Sequence, residues 1–362
     1  MRERGLDVYV SFDPTNIYYL TNFANYVHER PFLLVIRPSG RPTLLAPLLE
    51  AGHVRQRSRA ELDFATYPEF PAPEGENWFD VYAALIDSQA QVGVESAMPI
   101  GIAMRTPGQV MVQDVIDEVR LVKTAYEIGR NVHACQVVEV GHRLLLENAS
   151  PGVPEVTLYG QASGAMMAKI FGEVPDANPM VCGTKAAVWP PSISHDPHLV
   201  PSIQLPMEQG GPHVSIATAQ VNGYGVELER TFFLNEVPNA ARAPFAAMLE
   251  ARTTAYELAK PGAALAEIDR AVRAVIDRHG FGDRILHRTG HGFGITGHEG
   301  PYLALGDDGV LAPDMLISIE PGIYIPGTGG FRHSDTVWVT ETGCVSLTRA
   351  EDDLESLTFA RS

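Results

Sequence analysis

Residues 222–232 read NGYGVELERTF and place two acidic side chains in an otherwise apolar, strand-like run. Glu227 and Glu229 are two residues apart, so on a β-strand both point to the same face. Two buried carboxylates side by side repel each other and raise each other's pKa unless a cation neutralises them. That cation can be a metal ion, a substrate guanidinium or amidinium, or the side chains of Arg230 and Arg332. The stretch therefore predicts carboxylates that converge on a cation.

Three further clusters carry residues capable of chemistry, and all lie within residues 180–335. They are 194–198 (SHDPH), 289–301 (TGHGFGITGHEGP) and 319–335 (IEPGIYIPGTGGFRHSD). Plainer interpretations stay open for each. Histidines in a Pro-rich loop can be surface residues, alternating Glu and Arg can form a structural ion-pair network, and repeated glycines can simply permit a tight turn.

A long helix is predicted to open the second of two domains. Thr124 and Glu127 have the spacing of a capping box, and apolar residues then recur at helical spacing from Ile128 onward. Pro-Gly pairs at 151–152 and 261–262, about 110 residues apart, each separate two helical stretches. This weak echo predicts a duplicated α/β half.

The N-terminal part reads as a smaller α/β domain. Residues 6–13 and 31–36 are short apolar runs rich in strand formers, and the second leads through 38–40 into a predicted hairpin. The expected class is α/β (α+β), with one domain at 1–118 and a catalytic domain at 119–362.

Composition narrows the range of partners. The 27 Lys and Arg against 44 Asp and Glu give a net charge of −17, which disfavours nucleic acid and anionic lipid and leaves small molecules as partners. The three cysteines form no CxxC pair, no apolar run reaches the length of a membrane span, and no signal peptide is evident. We expect a cytoplasmic protein. Its opening residues, MRERGLD, resemble the end of a helix, so a short form or a truncated start is expected.

Together the four clusters resemble the pita-bread family of prolidases, aminopeptidases P, methionine aminopeptidases and creatinase, across the whole chain. The resemblance implies an N-terminal creatinase/prolidase-like domain and a pita-bread catalytic domain. The family's peptidases hold two metal ions with five carboxylate and histidine ligands. Here Ile216 and Ser334 stand at two ligand positions, while Glu227, His291 and Glu320 keep the other three. We therefore expect no cofactor, with one Mn, Zn or Fe ion on those three residues as the alternative.

Creatinase, the member that needs no metal, is similar in its strand motif, because residues 228–231 (LERT) stand where the peptidases have Thr-Arg-Thr. The resemblance implies catalytic roles for His195, as general base and then acid, and for Glu229, Glu320 and His291. It implies substrate contacts for Glu227, His298, Arg332 and Arg30, the last reaching a neighbouring subunit's site. A homodimer is therefore expected.

The leading interpretation is a creatinase-like, metal-independent hydrolase of a C–N bond in a small cationic, carboxylated amidine or guanidine. The alternative is an Xaa-Pro dipeptidase or aminopeptidase P-like peptidase with a reduced metal site, since residues 298–301 (HEGP) look like the peptidases' His-Glu-x-Pro. A second alternative is a non-catalytic member of the fold that binds a small ligand.

Overall fold

A computed structural model describes residues 1–26, 28–200 and 202–361. The chain divides into two units, Met1–Val119 and Arg120–Ser362. Each unit combines helices with a β-sheet, which confirms the predicted mixed α/β class. Across the described residues, no helix has both the length and the apolar character needed to cross a membrane.

The first unit is built on one sheet whose strands are β1 (Val8–Ser11), β2 (Leu33–Ile36), β3 (Thr43–Pro47), β4 (Asp63–Tyr67), β5 (Gln91–Val94) and β6 (Gln109–Val112). The strand order is β4-β3-β2-β1-β5-β6. The predicted hairpin is confirmed, because β2 and β3 pair antiparallel around Gly40, whose φ of 90° suits glycine. The helices of this part are α1 (Pro14–Thr21), α2 (Ala51–Arg57), α3 (Trp78–Ala83), α4 (Ile100–Ala103) and α5 (Val115–Arg120).

The second unit carries two helix pairs, α6 (Ala125–Asn148) with α7 (Glu155–Glu173), and α8 (Asn239–Leu258) with α9 (Leu265–Arg278). Strands β7 (Gly183–Trp189), β8 (Gly210–Val221) and β9 (Tyr224–Leu234) follow the first pair. After the second pair come β10 (Gly290–Gly292), β11 (Glu299–Leu303), β12 (Leu316–Ile319), β13 (Gly322–Ile325), β14 (Gly329–Arg332), β15 (Ser334–Val339), β16 (Cys344–Ser346) and β17 (Thr358–Phe359). Each half therefore runs from paired helices into strands, as the Pro-Gly echo predicts.

The predicted capping box is present at the start of α6. Thr124 Oγ1 accepts a hydrogen bond from the Glu127 amide, and Glu127 Oε2 accepts one from the Thr124 amide at 2.8 Å. These bonds satisfy backbone donors that the first turn of a helix leaves free.

The main sheet of this unit has the order β11-β10-β12-β15-β9-β8-β7, which places β9 between β15 and β8. Strands β8 and β9 form a hairpin through Asn222 and Gly223, whose φ values of 47° and 89° fit the twist of a two-residue turn. Every residue of β9 is buried. The sheet therefore holds Glu227 and Glu229 in its interior, on a rigid strand.

Candidate active site

The carboxylates of Glu227 and Glu229 line one cavity of about 360 Å³, together with Glu320, which follows β12. The two β9 side chains share a face, as their spacing predicts. Glu229 is 2% exposed and Glu227 is 5% exposed. Three acidic groups thus meet where water screens their repulsion poorly.

His291 on β10 is held in one orientation by its backbone surroundings. Its Nδ1 lies 3.1 Å from the carbonyl oxygen of Gly292, which can only accept, so Nδ1 carries the hydrogen. The other nitrogen, Nε2, lies 3.2 Å from Glu320 Oε1 and 3.8 Å from Glu227 Oε1. It makes no well-aligned hydrogen bond within the described chain. When His291 is neutral, its Nε2 therefore carries a lone pair that faces the carboxylates, and when it is protonated, Nε2 carries a hydrogen there.

The charges of these three residues depend on one another. Burial and the nearby Glu320 raise the pKa of Glu227 to about 7. Burial also disfavours the charged forms of His291 and Glu320, but their mutual attraction outweighs it. The pKa of His291 rises to about 9 and that of Glu320 falls to about 2. A positive charge at His291 Nε2, whether a proton or a cation beside it, is what these carboxylates require.

A second ligand-like histidine comes from the loop after β10. The ring of His298 stacks on that of His291, with 3.7 Å between centroids and 19° between planes. Burial and the charge of His291 lower the pKa of His298 to about 4, so it is neutral near pH 7. One ligand atom each from Glu227, His291 and His298 lie within 4.8 Å of one another. This group can hold one ion, with Glu320 beside it.

Glu229 is engaged differently, because a guanidinium from its own chain neutralises it. Arg332 Nη2 donates to Glu229 Oε1 at 2.8 Å, Arg332 Nε contacts Oε2, and Nη1 donates to the Tyr324 hydroxyl at 3.1 Å. Burial raises the pKa of Glu229 to about 8, although the guanidinium of Arg332 beside it acts in the opposite direction. Arg332 faces Glu229 and Tyr324 in the structure, and its expected role in substrate binding remains a prediction.

The two positions where the family's ligands are missing flank Glu229. Ile216 on β8 is its register partner on one side, and Ser334 on β15 is its partner on the other. Ser334 Oγ donates to Glu227 Oε1 at 2.7 Å. Glu229, which pairs with Arg332, thus lies between the apolar side chain of Ile216 and the hydroxyl of Ser334.

Glycines let β10 come close to its neighbours. A Cβ on Gly290 would lie 2.1 Å from the Ser318 carbonyl oxygen, and one on Gly292 would lie 1.9 Å from that of Gly300. Both are distances that real Cβ atoms do not show, so the glycines here permit close strand packing that seats His291. Ser318 Oγ accepts from the His291 amide at 2.9 Å and donates to Glu320 Oε1 at 3.0 Å, which ties the two residues together.

The loop after β7 brings His198, not His195, to the cavity. Trp189 Nε1 donates a hydrogen bond to the Leu199 carbonyl at 2.7 Å, which anchors the loop next to His198. His198 lines the cavity. Ser194 bonds to Pro212 and Gly330 on the other side, and the adjacent His195 is outside the described lining of the cavity. The catalytic role expected for His195 remains a prediction.

Arg30 lies in the first unit and forms ion pairs with Glu29 and Glu69. Its expected role at a neighbouring subunit's site remains a prediction, as does the homodimer. Sequence reasoning missed Arg288, which lines the cavity, and His287, whose Nε2 bonds to the Tyr324 hydroxyl at 2.7 Å. No motif at 287–288 marks them before the fold is known.

A buried ion-pair network supports the strand behind the site. Asp335 on β15 accepts from Arg230 at 3.0 Å and from Arg252 at 2.5 Å. Burial opposes its ionisation, but the two guanidinium groups outweigh this and lower the pKa of Asp335. Asp335 thus holds β15 against two buried arginines, which is a structural role.

Replacing Asp335 with asparagine (Asp335→Asn) is expected to lower the free energy of unfolding at pH 7 by about 3–5 kcal/mol, because buried arginines lose their counter-charge. The pKa of Asp335 is lower in the folded state than its unfolded value of about 3.9. The stabilisation by its ionised carboxylate is therefore complete at pH values above the unfolded pKa, and it is lost as the pH falls through the folded-state pKa. Urea unfolding at pH 7 and in acid measures both effects. The exposed Glu355→Gln is the control, and equal stability of both variants at pH 7 would refute the network's role.

Relatives named as dipeptidases match nearly the whole chain. An Xaa-Pro dipeptidase of Pyrococcus furiosus is 27% identical over 361 residues, covering 98% of this chain and 97% of its own. A probable dipeptidase PepE of Mycobacterium tuberculosis is 29% identical over 349 residues, covering 93% and 88%. Among solved structures, the prolidase from Pyrococcus furiosus matches with a TM-score of 0.80 at 26% identity, covering 97% of this chain and 98% of that one. These matches confirm the predicted two-domain pita-bread architecture.

The expectation of no cofactor is wrong. A model of metallopeptidase family M24 matches residues 131–341, and one of the Creatinase/Prolidase N-terminal domain matches residues 1–122. The substrate contact expected for His298 remains a prediction, and the structure shows its ring stacked on that of His291. Because a family of metal-dependent peptidases matches more than half of its length, together with the N-terminal domain that accompanies prolidases, the chain belongs to metallopeptidase family M24.

Proposed function

We propose that this chain is a metal-dependent peptidase of the Xaa-Pro dipeptidase type, with a centre for one divalent ion. The observation that carries the proposal is the group formed by Glu227, His291 and His298, whose ligand atoms lie within 4.8 Å of one another in a cavity lined by carboxylates. Relatives named as dipeptidases support the peptide as substrate.

The residues fit one ion well. The ligand group offers two imidazole nitrogens and one carboxylate, a set that suits Zn²⁺, Mn²⁺ or Fe²⁺. A histidine that binds a metal through one ring nitrogen usually donates a hydrogen bond from the other. His291 Nδ1 makes such a bond to the Gly292 carbonyl, which orients the ring and leaves Nε2 for an ion. Its buried Nε2 makes no well-aligned hydrogen bond among the described residues, so an ion would satisfy it.

A second ion does not fit the same residues. It would need oxygen ligands where Ile216 and Ser334 stand, and Glu229 between them is already paired with Arg332. A guanidinium against those oxygens repels a further cation. The centre therefore differs from the two-ion peptidases that the sequence resembles.

A divalent ion held by Glu227, His291 and His298 would supply Lewis acidity for the scissile carbonyl and for a water molecule. Glu320 is ionised, and its Oε1 accepts from Ser318, which leaves Oε2 to take a proton from the attacking water. His198 lies on the loop across the cavity, where it can donate to the substrate. Trp189 and Ile216 supply the apolar wall that a prolyl ring would contact.

The creatinase-like interpretation has less support than its alternative. It needs Glu229 free to bind a cationic substrate, whereas Arg332 already supplies that cation. The relatives that match over most of the chain are named as dipeptidases.

A cytoplasmic location stays a prediction.

The proposal is tested by assaying the full chain with Mn²⁺, Zn²⁺ or Fe²⁺ against Leu-Pro and Met-Pro and measuring released proline. We expect cleavage that a chelator abolishes and the ion restores. Creatine and amidino acids serve as the competing substrates. Hydrolysis of those compounds without dipeptide cleavage would overturn the proposal.

A further inference from the structure

The segment 293–299, which follows β10, carries His298 and ends at Glu299, the first residue of β11. His298 is exposed, so burial in a core does not fix its ring. Its stacking on His291, with 3.7 Å between ring centroids, therefore depends on the backbone that carries it. The contacts that hold this segment also set the distance between two of the proposed ion ligands.

Glu299 fixes the end of the segment through two cations from the start of the second unit. Its Oε1 lies 3.1 Å from Lys123 Nζ, and its Oε2 contacts Arg120 Nη2. The side chains of Lys123 and Arg120 are 0% and 6% exposed, and that of Glu299 is 10% exposed. Charges buried in this way attract each other strongly, because water screens them poorly. The carboxylate is therefore held in one place.

Thr296 connects the fixed carboxylate to the backbone of His298. Its Oγ1 lies 3.0 Å from Glu299 Oε2 and 3.1 Å from the His298 carbonyl oxygen, so these two oxygens share its hydrogen. Arg120 Nη2 donates to the same Oγ1 at 3.4 Å. A chain of polar contacts thus runs from the buried cations to the residue that carries the imidazole.

Close packing on two sides leaves the segment little room to move. A Cβ on Gly294 would lie 2.2 Å from Glu299 Oε1. At the start of β9, a Cβ on Gly225 would lie 2.7 Å from Gly297 N, and Gly225 N donates to the Gly294 carbonyl at 2.9 Å. The segment is therefore packed between the Glu299 carboxylate and the end of β9.

We propose that Glu299, held by Arg120 and Lys123, is a positioning residue that places His298 beside His291 before an ion binds. The inference rests on the proposed function, in which His298 is a ligand. Among the described residues, Glu299 lies outside both the ligand group and the cavity lining, so it acts through the backbone of its segment. A ligand held near its final position loses less conformational freedom when the ion binds, which raises the affinity.

The test measures the affinity of the metal-free full chain for Mn²⁺ by isothermal titration. Glu299→Gln keeps the shape of the side chain and removes its charge, and we expect the Kd to rise about 10-fold. Thr296→Val keeps the ion pairs and should give a smaller rise. The control is Glu95→Gln, which alters a buried carboxylate of the first unit that accepts from Asn16 Nδ2 at 2.9 Å and should leave the Kd unchanged. Circular dichroism checks that each variant is folded.

A double variant separates positioning from a general loss of stability. If Glu299 acts through His298, Glu299→Gln should have little further effect on the Kd in a His298→Ala protein. A Kd that Glu299→Gln leaves unchanged, or raises equally in both backgrounds, would overturn the inference alone. A Kd unchanged by His298→Ala, or no Mn²⁺ binding by the wild type, would overturn both the ligand group and the inference. The expected Kd changes without cleavage of Leu-Pro would keep the role of Glu299 and contradict the proposed peptidase.

Discussion

Replacing His291 with alanine (His291→Ala) is expected to remove the bound ion and to lower kcat/KM for Leu-Pro by more than about 100-fold. Loss of a residue that only orients a metal ligand typically lowers metal affinity or activity 10- to 100-fold. His291 is itself a proposed ligand, so its loss should have a larger effect. Its Nε2 lies 3.2 Å from Glu320 Oε1 and 3.8 Å from Glu227 Oε1. Metal analysis of the purified variant and steady-state kinetics measure the two effects.

The matched control is His133→Ala, which removes a histidine of α6 that pairs with Glu173 outside the cavity. This variant should keep the ion and the activity of the wild type. Circular dichroism should show both variants folded. An His291→Ala protein with wild-type metal content and kinetics would contradict the assignment of His291 as a ligand.

The second large effect concerns the number of ions. The triple variant Ile216→Asp, Glu229→Thr, Ser334→Glu gives the chain the acidic ligands of the two-ion peptidases and removes the carboxylate that Arg332 neutralises. These three residues lie abreast on β8, β9 and β15. We expect the variant to bind two ions per chain where the wild type binds one, because carboxylate oxygens are the ligands a second hard cation lacks.

A variant with the same shapes but no new charge is the control. Ile216→Asn, Glu229→Thr, Ser334→Gln should hold no more than one ion, since neutral amides bind a divalent cation far more weakly than carboxylates. Calorimetric titration with Mn²⁺ gives the stoichiometry of each protein. Equal stoichiometry in both triple variants would contradict the view that missing carboxylates set the number of ions.

Local patterns in the sequence predicted local structure well. The capping box at Thr124 begins α6, the hairpin forms at Gly40, and Glu227 and Glu229 share a face. Each of these depends on residues near one another in the chain, where backbone geometry limits the choices.

Contacts between distant residues could not be predicted in this way. Arg332 meets Glu229 from 103 positions away, and the sequence alone left open whether that carboxylate binds metal, substrate or arginine. His195 and His198 are three residues apart in one loop, and only the fold shows that His198 lines the cavity. The expectation of no metal is overturned by the match to metallopeptidase family M24, and the stacking of His298 on His291 is a contact that no spacing rule describes.

We propose a peptidase centre that holds a single ion on Glu227, His291 and His298. The most direct test is to load the full chain with excess Mn²⁺ or Zn²⁺, remove the unbound metal, and measure metal per chain by mass spectrometry alongside Leu-Pro cleavage. One ion per chain, with activity that rises in proportion to its occupancy, is the predicted result. Two ions per chain, or full cleavage with no bound metal, would contradict a single-ion centre.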